Sequence, residues 1–152
     1  MMANISDLTP IAKQLNEKTD EINKTISTIN EKLARLNFGI EVWLDNPWNA
    51  LSSSTRDQGK TRVRDVSYLG YDRLGDKWQL AIKDVEEEIT LDENGDECVE
   101  QLNPEYVALL QASRDLRLAA LKKLPELLDE LKIRGQHILN TIADAEQLAE
   151  SL

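Results

Sequence analysis

Histidine and cysteine are almost missing from this 152-residue chain, His137 and Cys98 being single occurrences. A lone Cys98 excludes an intramolecular disulfide and fits a reducing, cytoplasmic setting. Zinc sites draw on several His or Cys side chains, and one of each, about 40 positions apart, makes no such set. No metal and no other cofactor is expected. Cys98 lies among Asp96, Glu97 and Glu100, whose like charge disfavours a thiolate. It reads as a small buried hydrophobe and not a nucleophile, and His137 as a surface or half-buried helix residue. Aromatics are only 5% of the chain, so the core must be mostly aliphatic, which suits helix packing. No stretch approaches the roughly 20 apolar residues of a membrane span, and the first residues lack the basic start and apolar run of a secretory leader. Base is also short. The net charge is −10, whereas phosphate contacts need a basic face, so neither nucleic acid nor membrane is an expected partner.

Catalytic signatures are lacking too. Leu69-Gly70-Tyr71 and Leu74-Gly75-Asp76 precede neither a helix start nor a Lys-Ser/Thr pair, so neither is a phosphate loop. Asp92, Asn94 and Asp96 open like a calcium loop, but Glu97 stands where glycine is required and Asn103 where the bidentate acid is required. A plain hairpin turn remains.

What is present is periodicity. Leu8, Ala12, Leu15, Ile22, Ile26, Ile29, Leu33 and Leu36 fall four, three, four and three apart, with Thr19 the one polar member. That is the seam of a helix over 7–36, started near Ser6 or Asp7, or at Thr9-Pro10, and stopped by Asn37 and Gly39. From Phe38 the period becomes two. Phe38, Ile40, Val42 and Leu44 alternate with Gly39, Glu41, Trp43 and Asp45, the pattern of a strand with one apolar face. Asn46-Pro47 ends it, and 46–60 reads as a loop. A second strand runs from Thr61 to Tyr71. Arg62, Arg64, Val66 and Tyr68 share one face, and Val63, Asp65, Ser67, Leu69 and Tyr71 the other. A third, Lys77 to Val85, places Trp78, Leu80 and Ile82 together. Asp92 to Asp96 is a turn, after which Cys98 to Leu102 can return as a short strand. The segment 37–103 is therefore an antiparallel β-meander of three to five strands. Asn103-Pro104 reads as the start of a second helix. Pro125 should kink or divide it into 104–124 and 125–151, packed on the first helix as a kinked helix or hairpin. The expected fold is α+β, one domain over 1–152.

Function has to be read from composition within the meander. Trp, Tyr and Arg carry most interface energy, and the segment concentrates them. Trp43, Trp48, Arg62, Arg64, Tyr71 and Trp78 are the candidate partner-binding residues. The same residues admit another reading, in which the aromatics form the sheet-to-helix core and the arginines pair with Glu86, Glu87 and Glu88 across a hairpin. The expectation is a non-enzymatic, cytoplasmic protein-binding module, homo-oligomeric through its coiled-coil-like helices. The alternative comes from charge. Asp84 to Glu100 holds nine acids and no base, which suits an acidic inhibitor of immunity, antitoxin or anti-defence type. It would block a basic target through 84–100, with Glu86, Glu87, Glu88, Asp92 and Glu93 as its surface.

Overall fold

In a computed structural model, which describes Met2 and residues 4–47, 53–56 and 61–152, the chain has an α+β fold. A long helix comes first, then an antiparallel sheet, then a second long helix. Helix α1, Ile5–Leu36, begins slightly earlier than its apolar stripe. The Asn4 side chain accepts from the Asp7 N–H at 3.2 Å, and the Asp7 carboxylate accepts from the Asn4 N–H at 3.0 Å. Two orphan donors are satisfied reciprocally. Asn37, left-handed at φ 51, closes the other end by donating its N–H to the Ala34 carbonyl.

The strands are β1 (Val42–Trp43), β2 (Ser53–Arg56), β3 (Thr61–Leu74), β4 (Lys77–Leu91) and β5 (Glu97–Ala108). They pair in the order β1-β3-β4-β5, with β2 on β3. Part of the expected 46–60 loop is thus strand: Ser53–Arg56 pairs with Thr61–Arg64. The β3–β4 connection is tighter than the sequence suggested. Leu74 pairs with Lys77 across Gly75-Asp76, and Gly75 takes φ +66, a value that favours glycine.

Asn103-Pro104 does not start a helix. Both residues lie in β5, where the register slips between Asp84/Glu105 and Glu86/Leu102, and Asn103 adopts φ 53. They form a β-bulge on the edge strand. A missing N–H is as harmless there as in a first helical turn, which is why the local sequence reads both ways. The helix starts later, with Ser113 capping the Leu116 N–H at 3.3 Å. Nor does Pro125 divide it. Helix α2 runs unbroken over Arg114–Ser151. Leu124, Leu127 and Leu131 are buried on both sides of the proline, and packing of that stripe on the sheet outweighs the lost backbone bond.

Both helices lie on one face of the sheet. Ile26 and Leu33 of α1 and Ala120, Leu124, Leu127 and Leu131 of α2 enclose Leu69, Tyr71, Leu80 and Ile82. Where β5 leaves β4, the Leu80 N–H donates to Asn30 of α1 at 2.9 Å, so the exposed rung of the ladder is not left unpaired. The helices run in the same direction, staggered. Arg114, opening α2, donates to Asn16 of α1 at 3.3 Å. At the other end Leu33 and Leu36 line one cleft with Leu131 and Leu139. Ile5 to Leu15 therefore precede α2 by about 16 Å, and α2 from Gly135 onward outruns α1 by about 25 Å. The apolar residues of both overhangs, among them Leu8, Leu15, Ile142 and Leu148, are solvent-exposed.

Candidate functional site

Strand alternation gives the sheet two unlike faces. Away from the helices, β3 presents Arg62, Arg64, Val66, Tyr68 and Gly70. Their cross-strand partners on β4 are Ile89, Glu87, Val85, Lys83 and Ala81. On β5 the same face continues as Val99, Gln101, Tyr106 and Ala108. Trp43 of β1 stands opposite Gly70.

Gly70 lets the indole lie down. A Cβ built there would fall 2.2 Å from the Trp43 ring, so any side chain would lift the tryptophan off the sheet. Ala81, next in the same row, is equally undemanding. Trp43 thus reaches across the sheet to meet Tyr106 edge-on, with ring centroids 5.6 Å apart. The Lys83 ammonium sits 5.3 Å from the Trp43 ring centroid and 5.1 Å from that of Tyr68, a cation shared by two π faces. The Trp43 indole N–H donates to Glu41 at 3.0 Å.

Beside this cluster lies a buried carboxylate. Glu87 is only 2% exposed. Its Oε1 accepts from Arg64 Nε at 3.0 Å and Nη2 at 2.7 Å. Its Oε2 accepts from the Tyr68 hydroxyl and from Gln101 Nε2 at 3.2 Å. Burial pushes the Glu87 carboxyl up, but the hydrogen bonds from Tyr68, Arg64 and Gln101 outweigh it and hold the group below its ordinary value. Tyr68 moves the other way. Burial, reinforced by its bond to the Glu87 carboxylate, pushes the phenol up to about 12. The network fixes the side chains of one face. It contains no activated nucleophile and no donor set converging on a reacting atom.

The partner-binding candidates separate by face. Trp43, Arg62 and Arg64 all lie on the helix-free side, with Arg62 eight positions along β3 from Gly70, where Trp43 packs, and paired with Glu97 at 3.7 Å. Tyr71 and Trp78 do not join them. Tyr71 is fully buried against the helices, and Trp78 stacks on it at 5.8 Å, half-buried. Tyr71 is core, and its hydroxyl finds no hydrogen-bond partner among the described residues. Trp48 lies outside the described residues. Three further side chains complete the face. Tyr68 is legible in the sequence as an aromatic of the meander that alternation places with Arg62 and Arg64, although it is not among the candidate anchors. Lys83 requires the hairpin register, and Tyr106 falls in a segment whose Asn103-Pro104 reads as a helix start.

The acidic candidates also divide. Glu87 belongs to the buried network and is no part of an acidic surface. Glu86 and Glu88 point to the opposite face, toward the free end of the hairpin, while Asp92 and Glu93 are exposed at its turn. Cys98 is exposed and not buried, because β5 is an edge strand with few neighbours there. Among the described residues no group of His, Cys, Asp or Glu has an arrangement that would hold a metal, and no helix is long and apolar enough to cross a membrane. Compared with known protein families, curated proteins and solved structures, the chain matches none.

Proposed function

We propose that the chain is a non-enzymatic protein-binding module of a reducing, cytoplasmic setting, oligomeric through its helices, that offers the helix-free sheet face to a protein partner. One observation carries the reading. Trp43, Arg62, Lys83 and Tyr106 share a face on which no helix residue packs among the described residues, and Tyr106 and Arg62 remain open to solvent. Rigid aromatics flanked by cations are the composition of interface hot spots. The Arg64–Glu87–Tyr68–Gln101 network on the same face holds its side chains in place before a partner arrives, which lowers the ordering cost of binding. Capture from a native lysate tests this. Arg62→Ala combined with Tyr106→Ala should reduce the captured partner at least tenfold while the thermal midpoint moves by only a few degrees. Undiminished capture refutes the assignment.

A second reading has an observation of its own. On the opposite face Asp84 pairs across the strands with Glu105, and Glu88 with Glu100. Like charges placed directly opposite destabilise a sheet, and a basic target would relieve the repulsion. An acidic inhibitor acting through Glu86, Glu88, Asp92 and Glu93 would form a complex that weakens steeply with ionic strength. A salt-indifferent complex excludes it.

A further inference from the structure

The overhang of α2 carries an apolar stripe that outlives its neighbours. On the body, the stripe at Leu124, Leu127 and Leu131 is buried against the sheet. It continues past the end of α1 as Gly135, Ile138, Ile142, Ala145, Ala149 and Leu152, still three and four residues apart. Ile142 is 49% exposed and Leu148 beside the stripe 62% exposed. His137, Asp144 and Glu150 occupy the outer face of this segment. Within the seam and its two flanking rows, Glu146 is the one charge.

Large and small residues in this stripe follow an order with a geometric meaning. If a second copy lies antiparallel, its two-fold axis passing between Ala143 and Asp144, Ile142 meets Ala145 of the second copy. Ile138 then meets Ala149, while Leu152 of the second copy comes level with Gly135, whose surface the Phe38 ring covers. The four layers built from Ile138, Ile142, Ala145 and Ala149 each join one large side chain to one small one, so they hold similar volumes and the helices can approach evenly. These are also the layers in which the two kinds of seam position face each other in antiparallel coiled coils. A parallel pairing sets Ile against Ile and Ala against Ala, which leaves the two alanine layers underfilled beside two full ones.

We infer that the α2 overhang is a self-association surface whose occupant is the same overhang of a second copy, antiparallel and related by a two-fold axis. A cleft on the body fits this arrangement: in this register Leu152 of one copy comes level with a cleft of about 530 Å³ on the other, lined by Leu36, Phe38, Ile40, Leu128 and Leu139. The Phe38 ring already rests on Gly135, 3.2 Å from where a Cβ would lie. A glycine at this point lets the ring close the floor of the cleft that receives Leu152 of the second copy. Only the overhangs overlap, so the two sheets stand at opposite ends of an elongated dimer. A contact about 25 Å long buries on the order of 1,000 Å² in total, the low end for a specific interface and enough for a reversible dimer.

This inference deepens the oligomeric part of the proposed function and is independent of the sheet face. Sedimentation equilibrium of the full chain from about 5 to about 500 μM should show a reversible monomer–dimer equilibrium. Ile142→Glu, which places a charge in the two central layers, should weaken it at least tenfold with unchanged far-UV circular dichroism. Asp144→Lys, on the outer face, should leave it within twofold. In a Cys98→Ser background, oxidation of a mixture of Ile142→Cys and Ala145→Cys chains should give crosslinked heterodimers, while neither variant alone crosslinks. A monomer at all concentrations, a dimer indifferent to Ile142→Glu, or self-crosslinking of either single-cysteine variant overturns the inference. If the chain is monomeric while capture dependent on Arg62 and Tyr106 persists, the sheet-face reading survives and this one fails.

Discussion

Replacing Arg64 by alanine isolates the electrostatic centre of the sheet. Arg64 gives Glu87 two hydrogen bonds, at 3.0 and 2.7 Å, and the carboxylate side chain is only 3% exposed. Removing one member of a fully buried ion pair costs roughly 3–5 kcal/mol, because an uncompensated charge stays behind. Breaking an exposed pair costs about 0–1 kcal/mol. The Arg64 side chain is 36% exposed, so water partly replaces it, and Tyr68 and Gln101 still donate to the other oxygen. The expected loss is about 2 kcal/mol, or roughly 4–8 °C in the thermal midpoint of a domain this size. Urea unfolding followed by tryptophan fluorescence measures it. In the background of Glu87→Gln the same arginine substitution should cost at least about 1 kcal/mol less, the signature of direct coupling. The penalty also has a pH signature. Glu87 is held below its ordinary value of 4.5, so its contribution is complete above that value and disappears as pH falls through the lower folded-state value. The arginine variant should converge on the parent in acid. A loss below about 0.5 kcal/mol at pH 7, or a penalty that grows in acid, refutes the account.

Three other outcomes follow from the same face and from α2. Tyr68 ionises at about 12 in the fold against 10.0 when unfolded, so unfolding releases a proton above pH 10. Stability should fall by up to about 3 kcal/mol between pH 10 and 12, and Tyr68→Phe should flatten that slope in urea titrations. Gly70→Ala forces a methyl to within 2.2 Å of the Trp43 ring. It should cost about 2 kcal/mol by thermal melting, and less when Trp43→Ala removes the obstacle. Pro125→Ala restores a helix hydrogen bond at an exposed position and should raise stability by as much as about 3 kcal/mol. A decrease would mean that the proline ring packs productively.

The sequence displayed periodicity well and exceptions poorly. The four-three stripe of α1 and the alternation along Thr61–Tyr71 and Lys77–Val85 are direct projections of packing geometry, and the elements lie where those patterns placed them. The same alternation already put Tyr71 opposite Arg62 and Arg64. Residue type alone groups Tyr71 with the arginines, whereas its place in the alternation marks it as core. Glu87 carried a comparable signal, standing between Val85 and Ile89 on a face whose neighbours are buried. The prolines were ambiguous for a physical reason. A residue without an N–H fits a helix start, a strand bulge and, when packing is strong enough, a helix interior. Only the neighbours brought in by the fold distinguish these. Lys83 and Tyr106 needed the register of three strands, which no local window contains.

The kink at Asn103-Pro104 bears on how this protein can meet other chains. The outer rim of β5 is long and solvent-facing, the sort of border on which an incoming extended segment could propagate ribbon growth. A proline at its middle offers no amide proton, and the extra residue beside it turns the backbone out of line. A segment templating itself along that border would lose its bonding halfway. Growth of stacked ribbons is interrupted, and productive encounters are left to side chains.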